Sequence, residues 1–222
     1  MSMPPWWPAL GLAIWSAVLV ALRLSGPLDE YALAQLLMTF GPLVTVPLGL
    51  SLTPAADSPE ARRLRWLFPP LALGAIGLAL VAILDPGPAP RLALTVPYLL
   101  FTALAALHAL LRLIQRRSLA LPELTIDVAI GCLGVAGMWL LVANADLTLS
   151  GFGGLWAMLT AAHFHFAGFG ALLLLGLLGR ARAAAGRRAW PFNLLAGGLL
   201  LALPMLALGI AASRVAELIG VS

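Results

Sequence analysis

The chain has 222 residues, of which 62% are hydrophobic and 10% are charged. Soluble domains typically carry about 25% charged residues, so this composition excludes an ordinary soluble domain and predicts a membrane protein. The formal net charge of +4 comes from arginine alone, and we predict no nucleic-acid partner from it. Cys132 is the only cysteine, which excludes an intrachain disulfide and a thiolate metal cluster.

Seven apolar runs, each bounded by Pro, Gly or charged residues, reach or approach the roughly 20 residues that cross about 30 Å of hydrocarbon. They cover approximately residues 8–24, 30–51, 65–84, 92–113, 124–143, 154–178 and 190–213. The links between them are too short for a separate soluble domain. The sequence therefore predicts an all-α, polytopic bundle of seven transmembrane helices, a single membrane domain over residues 1–222 surrounded by membrane lipids.

The arginines are distributed unevenly between the two ends of these runs. Ten follow the second, fourth and sixth runs, whereas Arg23, Arg91 and Arg214 lie on the opposite side. Arginine and lysine accumulate in cytoplasmic loops. We therefore predict a cytoplasmic N-terminus and an outside C-terminus in a bacterial cytoplasmic (inner) membrane.

Two of the three histidines, His163 and His165, lie in the middle of the sixth run, which has no formal charge from Gly154 to Leu178. An unpaired imidazole is costly in hydrocarbon, so both are candidates for a functional site. Two positions along a helix correspond to about 200° of rotation, and the two rings should point to nearly opposite faces. We assign His163 to a cavity and His165 to an interhelical contact. The reverse assignment, and a purely structural hydrogen bond for either ring, remain open.

Further polar groups lie at compatible depths. At about 1.5 Å per helical residue, His108 and Asp127 fall in the same inner half of the bilayer as the other two histidines. Asp127 is a candidate to orient a catalytic histidine, although a carboxylate there also suits the N-terminus of the fifth helix. A substrate pocket needs aromatic walls and a few polar groups. The residues expected to line it are Trp156, Thr160, Trp139, Gln35 and Asn144.

Two stretches carry a family resemblance. The segment HFHFAGF, preceded by Trp156 and Thr160, and the segment GPLVTVPLGL from Gly41 to Leu50 resemble the YndJ-like family of bacterial membrane proteins. The resemblance implies a multispan bundle with the His-x-His segment at its centre. It carries over His163, His165, Thr160 and Gly168, and it brings little mechanism.

These residues favour an intramembrane enzyme that uses histidine for acid/base chemistry. Cyclisation, isomerisation or hydrolysis of a hydrophobic or amphiphilic small-molecule substrate is expected, with His163 exchanging the proton, His165 or Asp127 orienting it, and no cofactor or metal. A small-solute or proton-coupled membrane transporter is the alternative, although the odd span count and the poor match between the two halves count against it. Haem ligation by His108 with His163 or His165, and a metal site of His108, His165 and Asp127, also remain open.

Overall fold

The computed structural model describes residues 6–53 and 59–218, and within these ranges the chain forms seven helices. They are α1 (Trp7–Ser25), α2 (Glu30–Leu52), α3 (Pro59–Leu84), α4 (Pro88–Arg116), α5 (Leu121–Asn144), α6 (Gly154–Ala184) and α7 (Trp190–Leu218). The predicted all-α bundle is therefore confirmed.

Helices α1 to α6 are long and apolar enough to cross a membrane. The described apolar part of α7, Trp190–Leu203, is shorter, and the rest of the expected seventh span lies outside the side chains that the structure describes. Helices α3 and α4 also begin several residues before the predicted spans. The apolar run marks only the part of a helix that lies in hydrocarbon, and the helix itself can extend beyond it. The chain is thus a helical membrane protein with six candidate spans.

Contacts between helix ends define two faces of the bundle. Arg63 at the start of α3 bonds to Gln115 at the end of α4, and Arg180 near the end of α6 bonds to Glu123 at the start of α5. We call this face the arginine-rich end. At the opposite face Asn144, the last residue of α5, bonds to Thr95 near the start of α4.

A short β-hairpin marks that opposite face, which we call the hairpin end. Strands β1 (Thr148–Leu149) and β2 (Phe152–Gly153) pair antiparallel between α5 and α6. The two linking residues, Ser150 and Gly151, have φ of 52° and 79°. Positive φ at both central positions is the geometry of the type I′ turn, whose twist matches that of paired strands.

Helix α5 lies at the centre of the bundle and packs against α4, α6 and α7, while α1 packs on α2 and α3. Small residues let these helices approach closely. A Cβ added at Gly74 of α3 would lie 2.4 Å from the backbone nitrogen of Tyr98, and one added at Gly137 of α5 would lie 2.0 Å from Oγ1 of Thr102. Helix α4 therefore packs closely between α3 and α5. This close packing fixes the positions of the α4 side chains that point into the core.

Helices α2 and α6 each contain a π-helical segment, over Gly41–Thr45 and Phe164–Ala171. In α2 the prolines Pro42 and Pro47 have no N–H to donate, which disrupts the regular ladder of helical hydrogen bonds. The two π segments contact each other, and a Cβ added at Gly41 would lie 3.0 Å from the ring of His165. We call this contact the π seam. Short π segments inside α-helices are frequent at functional sites.

Candidate functional site

His165 and Tyr98 form a buried pair where α6 meets α4. The Tyr98 hydroxyl oxygen lies 2.5 Å from Nε2 of His165, and Nδ1 of His165 lies 2.7 Å from the carbonyl oxygen of Ala161. A carbonyl can only accept, so Nδ1 carries the ring proton in the neutral imidazole, and Nε2 accepts from the tyrosine hydroxyl. Both ring nitrogens are therefore bonded, which removes the cost of burying an unpaired imidazole.

Neighbouring side chains fix the positions of the two rings. The Tyr98 and His165 rings stack with centroids 5.7 Å apart and planes 22° apart, and the Phe101 ring centroid lies 5.5 Å from that of Tyr98. Gly41 approaches the His165 ring from α2. The side chains of Tyr98 and His165 are 0% exposed, so no water-sized space touches either residue. A solute reaches this pair only after the surrounding helices move.

His163 has the opposite environment. Its side chain is exposed on the outside of the bundle, and its ring meets the Phe164 ring edge-on at 5.8 Å. The expected rotation between the two histidines is present, but the assignment of His163 to an internal cavity is wrong. The buried face of α6 carries Ala161 and His165, which turns His163 away from the bundle.

Asp127 belongs to an ion-pair network at the arginine-rich end and is 4% exposed. Its Oδ1 lies 2.6 Å from Nε of Arg112, and its Oδ2 lies 2.7 Å from a terminal nitrogen of Arg116. Both carboxylate oxygens are bonded to arginines, and His163 is exposed on the outside of α6, so Asp127 is not placed to orient His163. Asp127 lies beyond the first turn of α5, where Glu123 is the acidic residue, so its partners are the two arginines rather than the helix N-terminus.

Glu123 extends this network to α6. It accepts from Arg112 at 2.6 Å and from Arg180 at 2.7 Å, with a second bond between the Arg180 Nε and Glu123. A terminal nitrogen of Arg180 also donates to the backbone carbonyl of Thr53 at 2.5 Å. The network thus ties together the ends of α2, α4, α5 and α6.

Two of the expected substrate-binding residues, Gln35 and Asn144, meet near the hairpin end. With Thr39 they line a cavity of about 10 Å³, close to the smallest space that accommodates one water molecule. The amide nitrogen of Asn144 donates to Oγ1 of Thr95 at 2.9 Å. Its amide oxygen has no hydrogen-bond partner in the part of the chain that the structure describes. Three polar and six apolar side chains line this space, and it is too small for an organic substrate.

The other three expected substrate-binding residues do not join that cavity. Trp156 is 64% exposed on the surface of the bundle, and the Thr160 hydroxyl donates to the Trp156 carbonyl at 2.7 Å. Trp139 packs edge-on against Phe152 of the hairpin, with centroids 6.2 Å apart. The five residues therefore do not converge on one pocket, because their helices present them in different directions.

A line of buried polar side chains on α4 passes through the bundle. All five members belong to the buried side of α4. They are Thr95, Tyr98, Thr102, His108 and Arg112, all at most 7% exposed. We call them the α4 polar line. From Thr95 to Arg112 the line spans 17 residues, or about 25 Å at the helical rise.

The sequence reasoning missed Tyr98 and this line, although the signal was present. Polar residues at steps of three, four and six positions along an apolar run were the pattern that could have revealed it. A search for buried histidines does not find Tyr98, although its hydroxyl lies at the depth of the His165 ring.

The metal and haem hypotheses find little support in this geometry. Among the described residues, no group of three or more His, Cys, Asp or Glu side chains is placed to hold a metal ion, so His108, His165 and Asp127 do not assemble a metal site. Ligation of haem iron by His165 would require loss of its bond to Tyr98 or to Ala161.

The fold and the buried pair together define a class: a polytopic helical membrane protein with a histidine–tyrosine pair inside its bundle. The chain belongs to the YndJ-like family, since the family model described as YndJ-like protein matches residues 36–222. The match includes both stretches that carried the resemblance; the stretch from Gly41 to Leu50 contains the π segment of α2, and HFHFAGF contains most of the π segment of α6. Comparison with curated proteins and with solved structures found no match.

Proposed function

We propose that the protein is a proton-coupled membrane transporter in which Tyr98 and His165 hold and release the coupling proton. The observation that carries the proposal is the α4 polar line, five buried polar side chains along one helix. Polar and ionisable residues within membrane helices mark ion pathways and proton relays. The Tyr98–His165 pair lies on this line and can exchange a proton through its hydrogen bond.

The ends of the line meet polar groups that lead toward the two faces of the bundle. At the hairpin end Thr95 bonds to Asn144, which borders the small cavity shared with Gln35 and Thr39. At the arginine-rich end Arg112 bonds to Asp127 and Glu123. Five apolar residues separate Thr102 from His108, an interval of about 9 Å along the helix. A proton relay across it requires several intervening waters, admitted when α4 shifts.

The π seam supports the conformational change that a carrier needs. Tyr98 and His165 are fully buried, so a proton or solute reaches them only when helices separate. Gly41 presents no side chain to the His165 ring, and the prolines of α2 weaken its main-chain bonding. A change in the π segments would therefore move α2 relative to α6 at low cost. The first and last three spans of the chain match poorly in sequence. This counts against a carrier built from internal repeats, but not against other kinds of transporter.

An intramembrane enzyme is the second candidate, because a phenol and an imidazole within hydrogen-bond distance are an acid and a base. It would cyclise, isomerise or hydrolyse a hydrophobic or amphiphilic small molecule that enters from the surrounding lipid. In that case Tyr98 and His165 would carry the proton transfer, since His163 faces outward. Full burial of the pair makes prior opening of the π seam a requirement here too.

Reconstitution tests the transporter proposal. Vesicles that contain the protein, a pH-sensitive dye and a mixture of small cellular solutes are given an inside-negative potential. We expect the lumen to acidify with the wild-type protein. His165→Ala and Tyr98→Phe should slow this by about 100-fold or more, at the lower end of what a positioned proton-transfer group contributes. His163→Ala is the matched control and should behave as wild type, because its ring is exposed.

The same variants separate the two candidate functions. If His165→Ala acidifies the lumen as fast as the wild type, the transporter proposal is wrong. Lipid extracts from cells that express wild type or His165→Ala are compared by mass spectrometry. A lipid or isoprenoid product that accumulates with wild type alone would establish the enzyme instead.

We infer from the arginine distribution that the chain has seven spans in a bacterial cytoplasmic membrane, with the arginine-rich end in the cytoplasm and the C-terminus outside. The test places a cysteine at exposed Ala184, near that end, in a Cys132→Ser background. A membrane-impermeant maleimide applied to intact cells should leave it unmodified until the membrane is opened. Rapid labelling of intact cells would reverse the orientation.

A further inference from the structure

An open cleft of about 290 Å³ lies at the arginine-rich end, between the ends of α3, α4 and α5. Its lining is polar and mostly cationic: Arg63, Arg112, Gln115, Arg116 and Glu123. The volume is at the lower limit of ordinary small-molecule pockets, and it suits a compact polar group rather than a whole amphiphile.

Charge favours an anion in this cleft. Three arginines line it against the single carboxylate of Glu123. Arg112 and Arg116 also pair with Asp127 beside the cleft. Arg63 is therefore the lining arginine whose partner within the described ranges is neutral. The arginine-rich end as a whole has ten arginines and four carboxylates by sequence, a formal excess of six positive charges. The hairpin end has three arginines and five carboxylates, a formal excess of two negative charges.

Arg63 is the member of the cleft best placed to bind a ligand. Its side chain is exposed, and in the described ranges it bonds to the neutral amide oxygen of Gln115 at 2.7 Å rather than to a carboxylate. The other N–H groups of its guanidinium can therefore donate to an oxyanion, and no carboxylate among the described residues is bonded to Arg63 to offset its charge. Guanidinium groups bind phosphate oxygens through paired N–H donors.

The surface around the cleft points to a membrane lipid as the source of the anion. Trp66 lies three residues after Arg63 and is 81% exposed, and Leu111 lies four residues before Gln115 and is 40% exposed. Residues at these spacings share a helical face. Exposed tryptophan is typical of the headgroup level of a bilayer, so apolar surface borders the cleft where acyl chains would lie.

We propose that this cleft binds the phosphate headgroup of an anionic phospholipid from the leaflet at the arginine-rich end. Basic pockets between membrane helices recognise acidic headgroups by this chemistry. Arg63 contacts the phosphate, while Arg112 and Arg116 stay with Asp127 and Glu123 and maintain the shape of the cleft. The inference is independent of proton transfer at Tyr98 and His165.

Native mass spectrometry of the full chain tests it, with phosphatidylglycerol, phosphatidylcholine and inorganic phosphate as the three probes. The wild type should retain phosphatidylglycerol in preference to the zwitterionic lipid. Arg63→Ala should weaken this binding by about tenfold, the effect of losing roughly 1.4 kcal/mol of binding free energy. Gln115→Glu should do the same without loss of a cation, because the new carboxylate pairs with Arg63 and repels the phosphate.

Arg65→Ala is the charge-matched control, since Arg65 is exposed on the same helix and does not line the cleft. It should retain phosphatidylglycerol as the wild type does. Equal binding of both lipids, or unchanged binding by Arg63→Ala and Gln115→Glu, would overturn the proposal. Displacement of the lipid by millimolar inorganic phosphate would also overturn it, in favour of a site for the free anion.

Discussion

Removal of the Tyr98 hydroxyl should destabilise the protein through the atom that it leaves behind. Tyr98→Phe keeps the ring and its stacking but deletes the donor to Nε2 of His165, 2.5 Å away. Because His165 is 0% exposed, water cannot replace that donor. A buried acceptor left unsatisfied costs about 1–3 kcal/mol, whereas hydrogen bonds between membrane helices average about 0.6 kcal/mol. Since both groups lack any contact with water, we expect the free energy of unfolding to fall by about 1–3 kcal/mol.

A double-mutant cycle isolates this bond. His165→Leu alone leaves the Tyr98 hydroxyl without its partner, whereas the double variant Tyr98→Phe, His165→Leu leaves no broken hydrogen bond between the two positions. The cost of the double variant should therefore be smaller than the sum of the single costs by about 0.5–3 kcal/mol.

The assay is reversible unfolding by a denaturing detergent in mixed micelles, followed by circular dichroism. His163→Leu makes the same chemical change at an exposed position and should shift stability by no more than about 0.5 kcal/mol. If the effects of Tyr98→Phe and His165→Leu add to within about 0.5 kcal/mol, the two residues do not interact as described.

Two further predictions concern the π seam and the ion-pair network. Gly41→Ala places a Cβ 3.0 Å from the His165 ring and should cost about 1–3 kcal/mol by overpacking. Gly198→Ala, where nothing lies within 4 Å of the added Cβ, should be neutral or stabilising in the same unfolding assay, and equal effects would contradict the close seam. Asp127→Asn removes the buried carboxylate from Arg112 and Arg116 while Glu123 still pairs with both, and it should cost about 1–3 kcal/mol. The Asp85 carboxylate, which pairs with Arg91, is 77% exposed, so Asp85→Asn should cost less than about 1 kcal/mol. A similar loss of stability at both sites would show that burial does not determine the contribution of the ion pair.

The local chemistry of the chain was sufficient for several features. Runs of apolar residues bounded by Pro, Gly and charge predicted the helices, because backbone groups in hydrocarbon must bond within their own segment. The two-residue spacing of His163 and His165 predicted that they face opposite sides of α6, since helical rotation depends on sequence separation alone.

Which face of α6 points into the bundle depended on the neighbouring helices. The sequence pattern assigned His163 to a cavity and His165 to an interhelical contact. His165 makes such a contact, with Tyr98 on α4 and Gly41 on α2, whereas His163 is exposed. Depth alone grouped Asp127 with the histidines, but two arginines of α4 bind its carboxylate. Long-range pairing of this kind depends on how helices are arranged around one another.

Hydropathy and residue spacing by themselves determined that this is a helical membrane protein, and two short stretches identified its family. The tertiary structure decided which polar residues meet: Tyr98 with His165, Thr95 with Asn144, and the carboxylates of α5 with arginines from α4 and α6. The physical reason is that burial in an apolar medium demands a partner for each polar group. Only the packing of the helices chooses that partner among the residues at the same depth.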